Sequence, residues 1–433
     1  MPFTDSDAAV PRNDPFGPDF WWGTSACSTQ TEGAAPTSDI GRWEAEGRVP
    51  RSGDGNGFAQ CYAEDFALFA GLGLTHHRLT LDWARLEPLD GYHDPETVEH
   101  YQQMLAAAAD AGVQVWVGLH QRTSPGWFAD DLGGFDNDRA RTYHWPRHVD
   151  WLAETFGDQV FGWTGIHHPI GLANAGWMSG DMPPGKTSVA SFTKALESLL
   201  LANHDAWRLL SGGDRPVATV MNLSPLFPIA PEGRAGAAEA ADAARAMAAG
   251  YDQVMWGSWI RALTDGVIDI PGRPVVEIPD MAGSFDIIGF SYYSAISVFA
   301  DGTTDTYPPD MPTDDFGRSM WPEGMGITLR RLADELPGRP LMVAECGVGS
   351  DNDELRCEVM EGNLSQVADA VADGIDVRGV FHHTGVDSWE WDRGFDVHFG
   401  LADAKRNLRP SAEVARRWAT GSSPPSHSGP PDT

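Results

Sequence analysis

Glu345, which closes the apolar run Leu341-Met342-Val343-Ala344, and the adjacent imidazoles His167 and His168 are the groups of this chain best suited to covalent and proton-transfer chemistry. A carboxylate attacks an electrophilic carbon when a neighbouring cation and hydroxyl keep it ionised, roles that Arg78 and Tyr293 can fill. An imidazole titrates at about pH 6.5, and a nearby carboxylate raises that value, so His168 is expected to be a protonated donor at neutral pH. Other polar residues fall where apolar runs end: Gln30, Asp82, His120, Gln121, Ser291, His382 and His383, with Glu390 and Trp391 just beyond. Gln30, Glu390 and Trp391 together offer bidentate polar groups beside an aromatic platform. That pairing suits a ligand with hydroxyl edges and an apolar ring face.

The elements that must position these groups follow a regular rhythm. Eight short β-rich runs, at 20–27, 74–83, 113–120, 160–168, 216–223, 285–293, 340–346 and 377–384, alternate with helical stretches. The helices are expected at 58–71, 95–111, 140–156, 187–210, 237–263, 325–336, 353–373 and, after a long loop, 411–419. Eight such alternations predict an α/β chain folded as a single (β/α)8 TIM barrel, in which reacting groups gather at the C-terminal ends of the strands. The domain organisation is read as an N-terminal extension over 1–19, the barrel over 20–419, and a Pro/Ser/Gly-rich tail over 420–433 that is expected to be disordered.

The formal charge of -32 argues against nucleic acid or an anionic membrane as partner. A small neutral ligand suffers no such repulsion. The start, Met1-Pro2-Phe3-Thr4-Asp5-Ser6-Asp7, has neither a basic nor an apolar leader region, and no stretch is apolar long enough to span a bilayer, so a cytoplasmic protein is expected. Cys27, Cys61, Cys346 and Cys357 lack ligand-like spacing and read as free thiols, with Cys346 a small buried neighbour of Glu345. No cofactor is implied. The oligomeric state is open.

Six peptides in register make the chain resemble the family 1 glycoside hydrolases, the β-glucosidase family, over nearly all of residues 20–419. Phe20-Trp21-Trp22-Gly23 through Gln30-Thr31-Glu32-Gly33 resembles F-x-W-G…Q-x-E-G, and His77-Arg78-Leu79-Thr80-Leu81-Asp82-Trp83-Ala84-Arg85 resembles Y-R-F-S-I-S-W-x-R. Trp163-Thr164-Gly165-Ile166-His167-His168-Pro169 is similar to W-x-T-x-N-E-P, Ile288 to Tyr293 to I-G-x-N-Y-Y, and Val343 to Gly347 to I-T-E-N-G. Phe381 to Trp391 resembles F-x-W-S-L-L-D-N-F-E-W. The resemblance implies that Glu345 is a nucleophile touched by Arg78 and Tyr293. It also implies that Gln30, Glu390 and Trp391 hold a sugar.

The departures carry as much information. His168 stands where the family has its proton-donating Glu, His167 replaces Asn, Ser291 replaces Asn and His383 replaces Trp. After the third strand, His120-Gln121-Arg122 replaces Y-H-W, so Gln121 takes the place of a sugar-binding His and Arg122 that of a Trp. The resemblance thus implies a retaining β-glycosidase with Glu345 as nucleophile and His168 as acid/base. Its partner is a small-molecule glycoside, bound by Gln30, Gln121, His167, Ser291, His383, Glu390 and Trp391, with either a modified sugar or an activated aglycone. Two other readings stay open: a sugar-binding barrel without turnover, and a metal-dependent hydrolase using the histidines. Against the metal, adjacent strand residues ordinarily face opposite sides. Asp82 is considered as a partner for one of the histidines.

Overall fold

The computed structural model describes residues 15–230 and 236–421. Eight parallel strands close a barrel: β1 (Trp21–Ser25), β2 (His76–Thr80), β3 (Gln114–His120), β4 (Gly162–His167), β5 (Val217–Asn222), β6 (Ile287–Tyr292), β7 (Leu341–Cys346) and β8 (Val377–His383). Each strand pairs with its neighbours in sequence and β8 returns to β1, so the (β/α)8 expectation holds. Helices cover the outer faces of the strands and side chains fill the interior, so the strands are buried almost throughout. That is why most of them read as apolar runs rather than alternating ones, β2 with its His76-His77-Arg78 being the exception.

The outer layer is α1 (Phe58–Gly71), α2 (Pro95–Asp110), α3 (Asp138–Phe156), α4 (Val189–Leu210), α5 (Ala237–Asp252), α6 (Glu323–Glu335), α7 (Asp353–Ala372) and α8 (Pro410–Thr420). Their starts are set by local chemistry. Asp94 accepts a hydrogen bond from the Thr97 amide at 2.9 Å with Pro95 in the first turn, and Asn352 caps α7 through the Leu355 amide at 3.2 Å. The helix expected over 237–263 is not continuous: α5 gives way to a wider turn at Gln253–Gly257 before Ser258–Asp265.

Side chains pointing into the barrel differ sharply between its two ends. The lower end is plugged by Trp116, Ile287, Met342 and Phe381 together with Trp21 and Phe161. Gly162 lacks a side chain because a Cβ there would lie 2.5 Å from the Trp116 ring. The upper end holds Arg78 and Glu345, fully or almost fully buried. A dry floor beneath charged groups is the arrangement a reacting cavity requires.

Residues 1–14 and 422–433, most of the expected extension and tail, lie outside the described residues. Within 1–19, Phe16 is part of the core, its ring 4.4 Å from that of Phe20. At the other end α8 runs through Thr420, one residue past the expected barrel boundary. Two small sheets at the barrel rim were not anticipated: Leu226–Ile229 with Ala295–Phe299 and Thr304–Tyr307, and Val267–Ile268 with Val276–Glu277. No helix among the described residues is long and apolar enough to cross a membrane.

Buried histidines give the fold a pH dependence. Burial lowers His76, His77, His120, His167 and His382 from 6.5 to about 4, 3, 3, 4 and 3 respectively. Their folded values lie below the unfolded ones, so their contribution is complete above about pH 6.5 and is lost on acidification, as the unfolded chain takes up protons first. Asp39 and Glu32, raised by burial to about 8 and about 7, act in the opposite sense. His148 and His168 are lowered as well, so the lowered histidines outnumber the raised carboxyls and the unfolded chain takes up more protons below pH 6.5. The urea midpoint should fall steeply from about pH 6.5 to pH 5; an unchanged midpoint over that interval would contradict the burial of charge-neutral imidazoles.

Candidate active site

Two strands carry an extra residue immediately before their reactive side chains. On β7 the pairing with β6 shifts between Val343 and Glu345, so that Glu345 faces Ser291. On β4 the pairing with β5 shifts between Thr164 and His167. Such bulges re-aim a side chain without breaking the sheet. Beyond β4, His168 adopts a left-handed conformation, φ 51° and ψ 60°, and starts the short helix Pro169–Ala173. The following proline disfavours right-handed helical geometry at His168, while a left-handed non-glycine residue costs on the order of 1–3 kcal/mol.

The left-handed turn brings His167 and His168 to the same side, their rings stacked with centroids 3.7 Å apart. The expectation that these neighbours face opposite directions is corrected here, because His168 has already left the strand. His167 Nε2 lies 3.1 Å from Glu345 Oε1, and His168 Nε2 lies 3.8 Å from Glu345 Oε2.

Glu345 is enclosed by donors. Arg78 on β2 pairs with its Oε1 and also donates to Gln121 Oε1 at 3.0 Å. Tyr293 donates to Oε2 at 3.0 Å, and Ser291 donates to the same oxygen at 3.4 Å. Burial by itself would raise the Glu345 carboxyl, but the charges of His167 and Arg78, the His167 contact and His383 together hold it well below the usual carboxylate range. Arg78 is the permanent charge among these and the dominant reason the group stays ionised at neutral pH.

His168 Nε2 and Ser291 Oγ are 2.7 Å apart. Since Ser291 gives its proton to Glu345, the imidazole donates to Ser291, forming a chain from His168 through Ser291 to the carboxylate. Burial, then the neighbouring His167, lower His168 well below 6.5, outweighing the attraction of Glu345. The expected protonated donor is therefore corrected: the resting imidazole is neutral.

Above these groups opens a cavity of about 1000 Å³ lined by Gln30, Gln121, His168, Tyr293, Glu345, His383, Glu390 and Trp391 among others. Gln30 sits on the short helix Ser28–Glu32 and donates to Glu390 Oε1 at 3.0 Å, while His383 Nε2 lies 3.5 Å from that oxygen. Trp391 is braced edge-on by the fully buried Trp389, ring centroids 5.3 Å apart. His167 and Ser291, expected to touch a ligand, instead lie buried against Glu345 and do not line the cavity.

Other candidates fall outside. Asp82 caps the short helix Trp83–Leu86 and lies 3.8 Å from Arg85, so it makes no dyad with a histidine. His120 bonds Ser124 at 2.9 Å, and His382 bonds the Phe399 carbonyl at 3.1 Å. His76 and His77 are core residues, the latter bonded to Thr24 at 2.8 Å. The four cysteines are free thiols; burial, then Glu345, push Cys346 up to about 12, so its sulfur is inert. Sequence reasoning passed over Asn222, a cavity residue whose buried Oδ1 has no hydrogen-bond partner. Its signal was a polar residue ending the apolar strand β5.

His167, His168 and Glu345 present ligand atoms within 4.8 Å of one another, a spacing a cation could span. Two features oppose it. Arg78 already occupies the carboxylate, and stacked imidazoles direct their in-plane lone pairs side by side rather than toward a common point. The residues fit a proton-handling group better than a metal centre.

Comparison with known proteins agrees with this geometry. The model of glycosyl hydrolase family 1 matches residues 12–418. The thermostable β-glucosidase B of Thermobispora bispora is 27% identical, over 95% of this chain and 92% of that protein. A cyanidin 3-O-glucoside 7-O-glucosyltransferase (acyl-glucose) of Delphinium grandiflorum is 26% identical, over 93% and 89%. Among solved structures, the β-glycosidase from Pyrococcus horikoshii superposes with a TM-score of 0.84 at 27% identity, covering 93% of this chain and 94% of that one.

The neutral state of the paired imidazoles is directly measurable. Nitrogen-15 NMR of histidine-labelled protein, with His168→Ala for assignment, should show His168 uncharged at pH 6 and protonated only well below its ordinary range. A midpoint at or above about 6.5 would restore the cationic donor.

Proposed function

Because the chain belongs to glycosyl hydrolase family 1, we propose that it cleaves, or transfers the sugar from, a β-glycoside with an activated aglycone. The route is a covalent glycosyl-Glu345 intermediate, with His168 in the position of the acid/base. The observation that carries this reading is Glu345 itself: a carboxylate kept ionised by Arg78 and Tyr293 at the floor of an open cavity.

In the first step a Glu345 oxygen forms a bond to the anomeric carbon. The bond from that carbon to the aglycone oxygen breaks, and its electron pair leaves with the aglycone. In the second step water attacks the same carbon, its proton passes to the neutral His168, and the carboxylate is released. A hydroxyl acceptor in place of water would give transfer. A neutral imidazole is a poor acid but a competent base at pH 7, so the burden in the first step falls on the leaving group. Acyl and phenolic aglycones, which depart as stable anions, fit that demand. The name of the Delphinium relative, which specifies acyl-glucose, is in keeping with such donors.

The separation of His168 Nε2 from Glu345, 3.8 Å, is shorter than the roughly 5–5.5 Å between the two carboxyls of an ordinary retaining pair. A bound sugar must displace the imidazole from Ser291. That movement would release Nε2 from Ser291 and, with the ring proton shifted to Nδ1, leave Nε2 free to accept a proton from water.

A 2-deoxy-2-fluoro glycosyl donor with a dinitrophenyl leaving group should add one sugar mass to Glu345, and Glu345→Ala should abolish labelling. With wild-type protein kcat/KM should fall steeply as the aglycone pKa rises, and His168→Ala should leave that slope nearly unaltered while slowing turnover of the intermediate roughly 10²–10⁴-fold. A peptide map with the label elsewhere would overturn the nucleophile assignment. Absence of any adduct across a wide donor panel would favour a sugar-binding barrel without turnover.

A further inference from the structure

Arg122 is a cation that the proposed chemistry does not use. It lines the cavity between Gln121 and the Trp391 platform, its guanidinium carbon 5.2 Å from the Trp391 ring centroid. It makes no hydrogen bond or ion pair with any described residue, although burial disfavours its charge. The other arginines of the cavity are occupied. Arg318 donates to Asp314 at 2.9 Å, and Arg48 lies over the Trp43 ring at 3.3 Å and 3.8 Å from Glu46.

Of the four carboxylates that line the cavity with Arg122, Asp392 lies 3.6 Å from Arg393, Asp181 adds further negative charge, and Glu345 and Glu390 have nearer partners. Glu345 is held by Arg78, and Glu390 accepts from Gln30 beside His383. Arg122 is also held where it is by a local turn. Its φ is 65°, and the Thr123 amide donates to the Gln121 carbonyl at 2.8 Å across it. Gln121 is anchored on Arg78, and Thr123 on Thr29 at 3.1 Å. A non-glycine residue held at positive φ in a three-residue turn marks a side chain whose direction matters.

Resting on the glycosidase reading of this cavity, we propose that Arg122 is the binding point for an anionic substituent on the substrate's sugar, making the substrate class β-glycosides of acidic sugars, carboxylated or phosphorylated. A guanidinium offers a planar fork matched to either group, and the Trp391 ring gives it a cation–π neighbour at 5.2 Å. The chain's charge of -32 opposes an anion at long range. That field is screened within about 8–10 Å at physiological salt, so the groups lining the cavity decide binding.

The test compares 4-nitrophenyl β-D-glucuronide and the 6-phosphate of 4-nitrophenyl β-D-glucoside with the plain glucoside, using wild type, Arg122→Leu and Arg122→Lys. In wild type kcat/KM for one acidic glycoside should exceed that for the neutral one by roughly tenfold to a hundredfold, and which of the two wins identifies carboxylate or phosphate. Arg122→Leu should bring the ratio close to one, chiefly through KM, and Arg122→Lys should keep part of it. A wild-type ratio near one, or one unchanged in Arg122→Leu, overturns the proposal while leaving the glycosidase reading intact. Calorimetric titration with glucuronate, glucose 6-phosphate and glucose separates the two failures. An Arg122-dependent preference for an acidic sugar without turnover of any glycoside supports the anion site and removes the glycosidase. If Arg122→Leu does not fold by thermal unfolding, the wild-type panel and Arg122→Lys decide.

Discussion

The ion pair between Arg78 and Glu345 is the interaction on which the upper half of the barrel depends. Arg78 is fully buried and Glu345 almost fully so, and withdrawing each charge from water costs several kcal/mol before any attraction is counted. The cost is offset because neither group is left with the other alone. Gln121 accepts from Arg78, and Tyr293 and Ser291 donate to Glu345. Removing the arginine would leave a buried carboxylate that protonates rather than attacks. The pair therefore links stability with ionisation: the network that makes burial tolerable is the one that keeps the carboxylate charged, as its proposed role as nucleophile requires.

Irregular backbone is concentrated around this pair. An extra residue precedes His167 on β4 and another precedes Glu345 on β7, and the left-handed residues His168 and Arg122 follow β4 and β3. At the opposite end of the barrel the same strands are packed with aromatic rings. The rigid end supplies the packing that lets the other end hold strained geometry. Gln121 shows the coupling at single-residue scale, since its side chain completes the Arg78 network while its carbonyl closes the turn that presents Arg122.

The barrel was legible because parallel strands covered on both faces leave continuous apolar runs, and because α1, α2 and α7 are long, amphipathic or well capped. The rim was not. Helices of four or five residues such as Ser28–Glu32 and Trp83–Leu86 are too short for periodicity to emerge, and the rim strands are only two to five residues long. Within the site, sequence placed Glu345, Arg78, Tyr293, Gln30, Glu390 and Trp391 near one another through the elements that end there. It misjudged the histidines for two physical reasons. The alternation rule fails once His168 turns left-handed, and proximity to a carboxylate was weighed without the desolvation that here outweighs it. Charge proximity can be guessed from strand ends, whereas burial depends on everything packed above and behind.

In the proposed mechanism an imidazole stands in for one of two carboxylates, and that would change more than a proton's address. In a carboxylate pair the negative nucleophile raises its partner's pKa, and when the covalent bond forms that negative charge vanishes, so the partner becomes more acidic and can serve as base. The same sequence of charges acts on His168, but from a lower starting point. Burial, His167 and Arg78 keep its proton affinity down even while Glu345 is ionised. Esterification of Glu345 would remove its attraction for a proton on His168, so the ring would stay unprotonated and become a weaker base. The electrostatics thus oppose an imidazolium donor in the first step and favour a neutral base in the second. In the proposed mechanism such a site is asymmetric: it would give no assistance to departure while keeping a base for water, and that imbalance would select for donors whose aglycone needs no proton to leave.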